Sequence, residues 1–359
     1  MTRIRADLVR GGTSRGVFVH LDDLPTDVDT RDRLLVDLLG SPDPLQVDGL
    51  GGGASSTSKV VAVRAAQDPE ADIEYMFYQV GINERIVDTS GNCGNLSYAV
   101  GPWAVEQGLL RGPNSTPERI RLRNLNTGRL LVSTTRPGTG AGPYQTGTAV
   151  DIDHIDPAGQ DGANVFPTGA AYEYRRWRHG LLPVTIAGIA SVVIMIPAGE
   201  LGLTATESRD ELSSRTDLLA DLEELRAQVA AELGIGGARG PSRAVPRIAI
   251  LAAAQLPERD LESRSISLQR AHHAIPGTSA ICVAAAARLA GTVPHKIIGA
   301  PATPDAATVR IGHPRGQVEI RVETELLEGR QHVTSAGTSS TARTLMTGIA
   351  MVPQREDRT

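Results

Sequence analysis

The sequence Gly-Asn-Cys-Gly-Asn at residues 91–95 carries the strongest chemical signal in the chain. The apolar run at residues 96–106 predicts a buried helix, so Cys93 lies just before a helix N terminus. There the positive end of the helix dipole and unpaired N–H groups favour the thiolate. The two glycines leave room for a substrate to approach the backbone. We therefore predict that Cys93 is a functional residue beside substrate contacts at Gly94 and Asn95, and a purely structural cysteine is the alternative.

Lysine is rare in this chain, since only Lys59 and Lys296 are lysines among the 36 basic residues. A desolvated lysine can give up its proton, whereas arginine cannot. Lys59 follows a polar loop at residues 49–58 and precedes β-branched residues that predict a strand, where a dinucleotide site would need a helix. This position is compatible with a lysine that is kept because its proton can leave, and a solvated lysine at a strand end is the alternative. The loop residues predicted to contact the substrate are Ser55, Ser56, Thr57 and Ser58.

Residues 12–16, Gly-Thr-Ser-Arg-Gly, match the G-x-S-x-G pattern of a hydrolase nucleophile. That mechanism needs a helix after the serine, but residues 17–19 continue as a strand, so we reject it. A tight loop remains, in which Ser14 and Arg15 can hold an anion together with free N–H groups. A plain hairpin is the alternative.

Residues 272–279, His-His-Ala-Ile-Pro-Gly-Thr-Ser, lead into a predicted alanine-rich helix at 279–289. Polar groups at such a helix start bind a carboxylate well, so we predict substrate contacts from His273, Thr278 and Ser279. Helix capping by the same hydroxyls is the alternative. The two histidines have no further ligands at zinc spacing, and we predict no metal site.

The composition excludes several classes of protein. The 359 residues are 40% hydrophobic and 21% charged, which is enough to bury a core. A net charge of −5 provides no basic excess for a nucleic-acid partner. No apolar run approaches the ~18 residues of a membrane span, and the first residues carry charges where a signal peptide is apolar. Two cysteines build no disulfide framework, and Cys282 lies in an apolar run typical of a core. We expect a soluble cytoplasmic protein without a nucleic-acid or membrane partner.

The elements that must position these residues form two similar halves. In each half, short strand-like runs surround one apolar helix whose start carries glycine and small polar residues, which predicts two α+β domains facing each other across a cleft. The predicted domains are residues 1–180 plus 345–359, and residues 181–344. The apolar segment 347–353 is expected to return to the first domain. Further predicted elements are helices at 31–39 and 208–233 and strands at 4–8, 17–21, 60–65, 73–80, 183–196, 247–254, 309–311 and 318–322.

Six blocks of the sequence resemble the signature blocks of the PrpF family. They appear in family order and span nearly the whole chain. The resemblance implies a diaminopimelate-epimerase-like α+β fold with two similar domains. Each domain is expected to hold a central helix wrapped by a mostly antiparallel sheet, with the active site in the cleft between the domains. The blocks lie at residues 10–16, 48–59, 90–95, 166–169, 272–278 and 341–348.

The family includes 2-methylaconitate cis-trans isomerase, methylitaconate Δ-isomerase, aconitate Δ-isomerase and 4-oxalomesaconate tautomerase. The resemblance implies cofactor-free proton transfer on an unsaturated di- or tricarboxylate, α or allylic to its carboxylates. Lys59 and Cys93 match the acid–base candidates of the family. We expect a small polycarboxylate substrate, no cofactor and no metal, and a homodimer is left open. Cis–trans isomerisation, a double-bond shift and a tautomerisation all fit the sequence.

The chain departs from the family pattern at two places. Arg15 stands where the family usually has lysine. Residues 187–191 read Ala-Gly-Ile-Ala-Ser, where the family has Asp-x-Ala/Gly-Asn-Pro and the asparagine is expected to help hold the substrate. Two alternatives stay open beside the isomerase. One is a two-base amino-acid epimerase, which needs a thiol at each helix start, and the other is a non-catalytic tricarboxylate-binding accessory protein.

Overall fold

A computed structural model describes residues 1–89, 91–110, 116–139, 146–158, 165–237, 240–241, 245–267, 270–299, 307–327 and 330–353. Ser90, which is part of one signature block, lies outside the described residues. The chain divides into unit 1, Met1–Asp153 with Ser339–Thr359, and unit 2, His154–Thr338. Residue 180, near which the sequence predicts the domain change, lies inside unit 2. The strand that precedes this residue pairs with the strand that begins there.

Unit 1 contains strands that follow the predicted runs closely. Helix α1 begins after Asp27, whose carboxylate accepts from the Thr30 N–H at 2.8 Å, and it ends at Gly40 with a φ of 81°. The elements are β1 (Thr2–Gly11), β2 (Ser14–His20), a 3₁₀ turn (Leu21–Asp23), α1 (Val28–Leu39), β3 (Lys59–Ala65), β4 (Ile73–Val80), β5 (Val87–Asp88), α2 (Gly94–Glu106), β6 (Arg119–Asn124), β7 (Leu130–Thr139) and β8 (Thr148–Ile155).

Unit 2 begins within β8 and ends within the last strand. Its further elements are β9 (Glu173–Trp177), β10 (Gly180–Ile189), β11 (Ser191–Pro197), a 3₁₀ turn (Ala198–Leu201), α3 (Arg209–Ser214), α4 (Thr216–Glu232), β12 (Gly236–Gly237), β13 (Gly240–Pro241), β14 (Arg247–Ala253), β15 (Leu261–Ser267), β16 (Arg270–Ala271), α5 (Gly277–Ala287), α6 (Val293–Ile298), β17 (Thr308–His313), β18 (Gly316–Leu327) and β19 (Arg330–Val352).

The two units repeat one pairing pattern. In unit 1, β1 pairs antiparallel with β2, β2 parallel with β3, β3 antiparallel with β4, β4 parallel with β6, and β6 antiparallel with β7. The same alternation runs through β10, β11, β14, β15, β17 and β18 of unit 2. Helix α2 contacts six of the unit 1 strands, and α5 contacts five of the unit 2 strands. The predicted fold class, a mostly antiparallel sheet around one central helix in each unit, is confirmed.

The two central helices are buried on nearly all sides. In α2, Leu96, Val100, Trp103 and Ala104 are each at most 2% exposed. Pro102 lies inside this helix, yet α2 continues to Glu106. Burial of the whole helix outweighs the one backbone donor that proline lacks. In the part of the chain that the structure describes, no helix is both long enough and apolar enough to cross a membrane.

The structure changes two predicted elements of unit 2. The segment 183–196 was expected to be one strand, but it is a hairpin in which β10 ends at Ile189 and β11 begins at Ser191. Ala190 turns the chain with a φ of 58°, a conformation that costs alanine free energy. The helix expected at 208–233 is broken at Arg215 into α3 and α4.

The last strand, β19, belongs to both units. Its residues 330–337 pair with β18, and residues 342–352 pair with β1. The predicted return of segment 347–353 to the first domain is therefore observed. With β19 in place, β1 has hydrogen-bonded neighbours on both edges.

Candidate functional site

One face of the unit 1 sheet carries the predicted acid–base residues. Lys59 lies directly opposite Gln79 in the β3–β4 ladder, and Val61 lies opposite Phe77. Val61 and Phe77 pack in the core cluster that contains Leu96 of α2. Because alternate residues of a strand share a face, Lys59 and Gln79 also lie on the α2 side of the sheet.

Lys59 is a buried ammonium group with neutral neighbours. The side chain is 9% exposed, and its Nζ donates to Gln79 Oε1 at 2.5 Å. Nζ also lies 4.9 Å from the centre of the Phe77 ring. Within the described residues, no carboxylate forms an ion pair with Lys59. A buried charge is costly unless it is paired, so this position favours an anionic ligand.

Cys93 occupies the N-cap position of α2, where the sequence predicts it. It is half-buried and packs against the unit 1 core, and no side chain caps this helix end. A Cβ added at Gly91 or Gly94 would meet no atom within 4 Å. The helix start is therefore open, and its N–H groups and positive dipole end favour an anion there.

A small polar network holds the segment around Cys93, and sequence reasoning missed it. The Tyr75 hydroxyl lies 3.0 Å from Ser97 Oγ and donates to Asn92 Oδ1 at 3.3 Å. Ser97 Oγ in turn donates to the Cys93 carbonyl oxygen at 3.1 Å. Burial raises the pKa of Tyr75 to about 12, so its hydroxyl stays neutral and can donate. These residues position the thiol through its backbone.

The β1–β2 loop packs directly on the start of α2. Asn95 Nδ2 donates to Thr13 Oγ1 at 3.1 Å and to Ser14 Oγ at 3.4 Å. A Cβ added at Gly11 would lie 2.3 Å from the Asn95 carbonyl oxygen, so this contact requires glycine. The structure thus brings the predicted site residues Ser14 and Asn95 together, next to Cys93 and Gly94.

Arg15 lies on the other side of the sheet from Ser14, because side chains alternate along β2. Its N–H donates to the Ser56 carbonyl oxygen at 2.9 Å. A Cβ added at Gly52 would lie 2.8 Å from Arg15 Nη2, which places the guanidinium against the loop at 49–57. Arg15 Nε is buried without a hydrogen-bond partner. A substrate contact from Arg15 stays a prediction.

Ser58 was expected to contact the substrate, but its hydroxyl is fully buried. Ser58 Oγ donates to the Val80 carbonyl oxygen at 2.9 Å and accepts from Gln46 Nε2 at 2.7 Å. The first bond ties the glycine-rich loop to β4, and the second ties it to the segment that follows α1. Ser58 therefore has a structural role in this loop, and a substrate contact from it stays a prediction.

The other three polar residues of this loop are more accessible. Ser55 is exposed, and its carbonyl oxygen accepts from Gln79 Nε2 at 3.3 Å. Ser56 and Thr57 are half-buried, and Thr57 Oγ1 donates to the Ala54 carbonyl oxygen at 3.2 Å. Substrate contacts from Ser55, Ser56 and Thr57 stay predictions.

The start of α5 in unit 2 carries a second candidate group for anion binding. Thr278 Oγ1 accepts from Arg247 Nη1 at 3.0 Å. Arg247 begins β14 just as Lys59 begins β3, and burial lowers the pKa of its guanidinium. Ser279 is 1% exposed, and its hydroxyl has no hydrogen-bond partner. Carboxylate binding by Thr278 and Ser279 stays a prediction, now with Arg247 beside it.

His272 and His273 stack on each other, with ring centres 4.5 Å apart. Burial lowers the pKa of both imidazoles, and the neighbouring His273 lowers that of His272 further. His273 is exposed, so its predicted contact with a substrate stays open. Among the described residues, no three His, Cys, Asp or Glu side chains lie close enough to hold a metal ion.

Cys282 is a core residue, as predicted. It is 0% exposed, its Sγ donates to the Ala187 carbonyl oxygen at 3.3 Å, and burial raises its pKa to about 12. A two-base epimerase needs a reactive thiol at each helix start. The described part of α5 offers only this buried thiol one turn inside the helix, which argues against that alternative.

The repeated sheet with a central helix has relatives among solved structures. A hydroxyproline epimerase from Agrobacterium vitis aligns with 99% of this chain and 94% of its own chain at a TM-score of 0.55 and 14% identity. A methylitaconate Δ-isomerase aligns with 97% of this chain and 95% of its own chain at a TM-score of 0.80 and 30% identity. The fold is therefore of the epimerase-like class.

The sequence comparisons give the family. Residues 1–353 match the profile described as "PrpF protein", and the chain belongs to the PrpF family. The 3-methylitaconate isomerase of Eubacterium barkeri is 32% identical, over 98% of this chain and 97% of its own. The 2-methyl-aconitate isomerase of Cupriavidus necator is 33% identical, over 98% of this chain and 97% of its own. The resemblance seen in the sequence blocks is confirmed, and the enzyme class is isomerase.

Proposed function

We propose that the protein isomerises an unsaturated di- or tricarboxylate of the methylitaconate or methylaconitate type by moving a proton α or allylic to a carboxylate. Two relatives with these substrates in their names support the substrate class. Lys59 and Cys93 are proposed as the acid–base groups. The proposed reaction uses only groups of the protein chain and of the substrate.

The observation that carries this proposal is the environment of Lys59. Lys59 is 9% exposed, and its Nζ donates to a neutral amide oxygen. It lies on the sheet face that packs against α2, whose open N terminus carries Cys93. A substrate carboxylate would supply the missing negative charge and bring its neighbouring carbon into this polar corner of the sheet.

In the proposed reaction, the amine form of Lys59 removes a proton from the carbon next to the carboxylate. The negative charge then spreads over the carboxylate and the double bond. The N–H groups of Gly94 and Asn95 and the dipole of α2 stabilise that charge because they are fixed before the reaction begins. Cys93 exchanges a proton with the other end of the conjugated intermediate. Return of the proton to the allylic carbon shifts the double bond, and rotation before reprotonation at the original carbon gives cis–trans isomerisation.

Proton exchange in D2O tests the proposal directly. Methylitaconate, 2-methylaconitate, 4-oxalomesaconate and aconitate are each incubated with the protein and followed by ¹H NMR. Loss of an allylic proton signal together with a new isomer is expected for at least one of them. A Lys59→Arg variant keeps the positive charge but not the acid–base chemistry, so it should lose about 10²-fold or more in rate.

Lys296→Arg is the matched control, since it makes the same chemical change at an exposed residue of α6. Wild-type exchange in the control and loss in Lys59→Arg support the proposal. Near wild-type exchange in Lys59→Arg would show that Lys59 only anchors a carboxylate. Binding of these acids without any exchange would instead support an accessory binding protein.

A further inference from the structure

The amide of Gln79 is fixed from both ends. Its Oε1 accepts from Lys59 Nζ at 2.5 Å, while its Nε2 donates to the carbonyl oxygens of Ser58 at 2.8 Å and Ser55 at 3.3 Å. A carbonyl oxygen only accepts hydrogen bonds, so the amide nitrogen must face the loop. The amide oxygen must therefore face Lys59.

This orientation decides how Lys59 can use its nitrogen. The Gln79 oxygen accepts a hydrogen bond from one N–H of Lys59. It repels the lone pair of a neutral lysine nitrogen, because the oxygen carries lone pairs of its own. The Phe77 ring lies 4.9 Å from Nζ and presents a face that attracts a cation. Once Lys59 has released a proton, its lone pair points away from Gln79.

We propose that Gln79 is a positioning residue for proton transfer by Lys59, holding Nζ so that its lone pair meets the substrate. The inference rests on the proposed function, in which Lys59 is an acid–base group. Gln79 acts through Lys59 and not on the substrate. A neutral acceptor at this position holds the ammonium without fixing its proton as strongly as a carboxylate would.

Among the described residues, the elements around Gln79 carry several titratable groups. Asp88 of β5 lies across the ladder from Gln79 and is exposed. Cys93 at the start of α2 and Tyr75 of β4 share the α2 side of the sheet. Arg15 of β2 lies on the opposite side. A charge introduced at residue 79 therefore lies directly beside Lys59 Nζ.

The two lysines of the chain make a direct measurement practical. Protein labelled with ¹³C at the lysine ε-carbon gives two signals, and Lys296→Arg assigns them. Titration of the substrate-free protein then reports the protonation midpoint of Lys59. We expect Gln79→Glu to raise this midpoint by about 1–3 pH units, because it places a carboxylate beside the ammonium.

Gln317→Glu is the matched control, since it adds the same charge at an exposed residue of unit 2. It should leave the Lys59 midpoint at its wild-type value. An equal midpoint in wild type and Gln79→Glu would overturn the proposal. So would an equal shift in both glutamate variants, because the effect would then be one of net charge.

Gln79→Asn is a second variant that keeps the amide but shortens its reach. We expect kcat to fall at least tenfold with KM within about threefold, because a positioning defect acts on the chemical step. A residue that merely holds the loop would lower the thermal midpoint and leave kcat unchanged, which would also overturn the proposal. The ¹³C titration requires no turnover. A shifted midpoint in a protein that isomerises no tested acid would therefore refute the proposed function but keep the contact between Gln79 and Lys59.

Discussion

Replacing Gly94 by alanine separates the proposed substrate site from the stability of the fold. Gly94 is the first residue of α2, and a Cβ added there meets no atom within 4 Å. Alanine is a better helix former than glycine by up to about 1 kcal/mol. The variant should therefore fold at least as well as wild type, with a thermal midpoint raised by up to about 4 °C.

The same methyl group fills the open space over the helix start. A carboxylate bound there accepts hydrogen bonds from backbone N–H groups at about 2.9 Å. The added methyl group would keep the carboxylate from coming that close. Loss of one charge-assisted hydrogen bond costs about 1.5–3 kcal/mol. We expect kcat/KM for the turned-over acid to fall roughly 10- to 150-fold in the Gly94→Ala variant.

The assay measures kcat/KM by ¹H NMR and the thermal midpoint by circular dichroism on the same preparations. Gly11→Ala is the comparison, because its Cβ would lie 2.3 Å from the Asn95 carbonyl oxygen and must disturb the packing of the loop on α2. That variant should lose both stability and activity. If Gly94→Ala keeps kcat/KM within twofold of wild type, no substrate approaches this helix start and the reasoning fails.

Three further predictions follow from single residues. The Cys93→Ser variant should exchange protons about 10²-fold more slowly than wild type. Exchange should stay detectable because Lys59 remains, and its complete loss would show that the thiol is indispensable. Titration of native protein with a thiol reagent at pH 8 should label Cys93 and spare Cys282, whose pKa is raised to about 12 by burial; two labels per chain would contradict that burial. The pKa of His313 is lowered from 6.5 to about 4 by burial and, to a smaller extent, by the nearby Arg259 and Arg264. Between these two pH values His313 therefore binds more protons in the unfolded chain than in the folded one. The free energy of unfolding should therefore fall as the pH drops from 6.5 to about 4. Urea unfolding measured at both pH values should show a smaller fall in the His313→Asn variant than in wild type.

The sequence alone predicts the frame of the molecule because its signals are local and strong. Apolar runs preceded by glycine and small polar residues predict the two central helices, and α2 and α5 begin within two residues of the predicted starts. The placement of Cys93 at a helix start follows from the same pattern. A thiol directly before an apolar run can be located without knowledge of any partner strand.

The residues that the sequence did not reveal depend on strand register. Gln79 carries no motif, and its role appears only when the β3–β4 ladder sets it opposite Lys59. The contacts of Tyr75 with Asn92 and Ser97 likewise join β4 to α2. Such amide and hydroxyl partners are chosen by tertiary packing, which composition and periodicity do not encode.

Two local features that the sequence did not reveal have identifiable physical causes. Ser58 looked equivalent to the other polar residues of its loop, but its hydroxyl donates its proton to the Val80 carbonyl oxygen and accepts from the buried Gln46 amide. The hairpin between β10 and β11 was missed because its turn residue is Ala190. Alanine rarely adopts a positive φ, so no turn signal marks the position.

The pairing of β1 with β19 has a consequence for how the chain is made. Arg10 bonds to Thr341 across a separation of 331 residues, so a ribosome must synthesise the whole intervening chain before this edge of β1 can be covered. Until then β1 presents unpaired N–H and C=O groups to other nascent chains. Contacts this distant in sequence also close slowly. This edge of β1 therefore needs protection during synthesis, and removal of residues 342–352 would leave it unpaired.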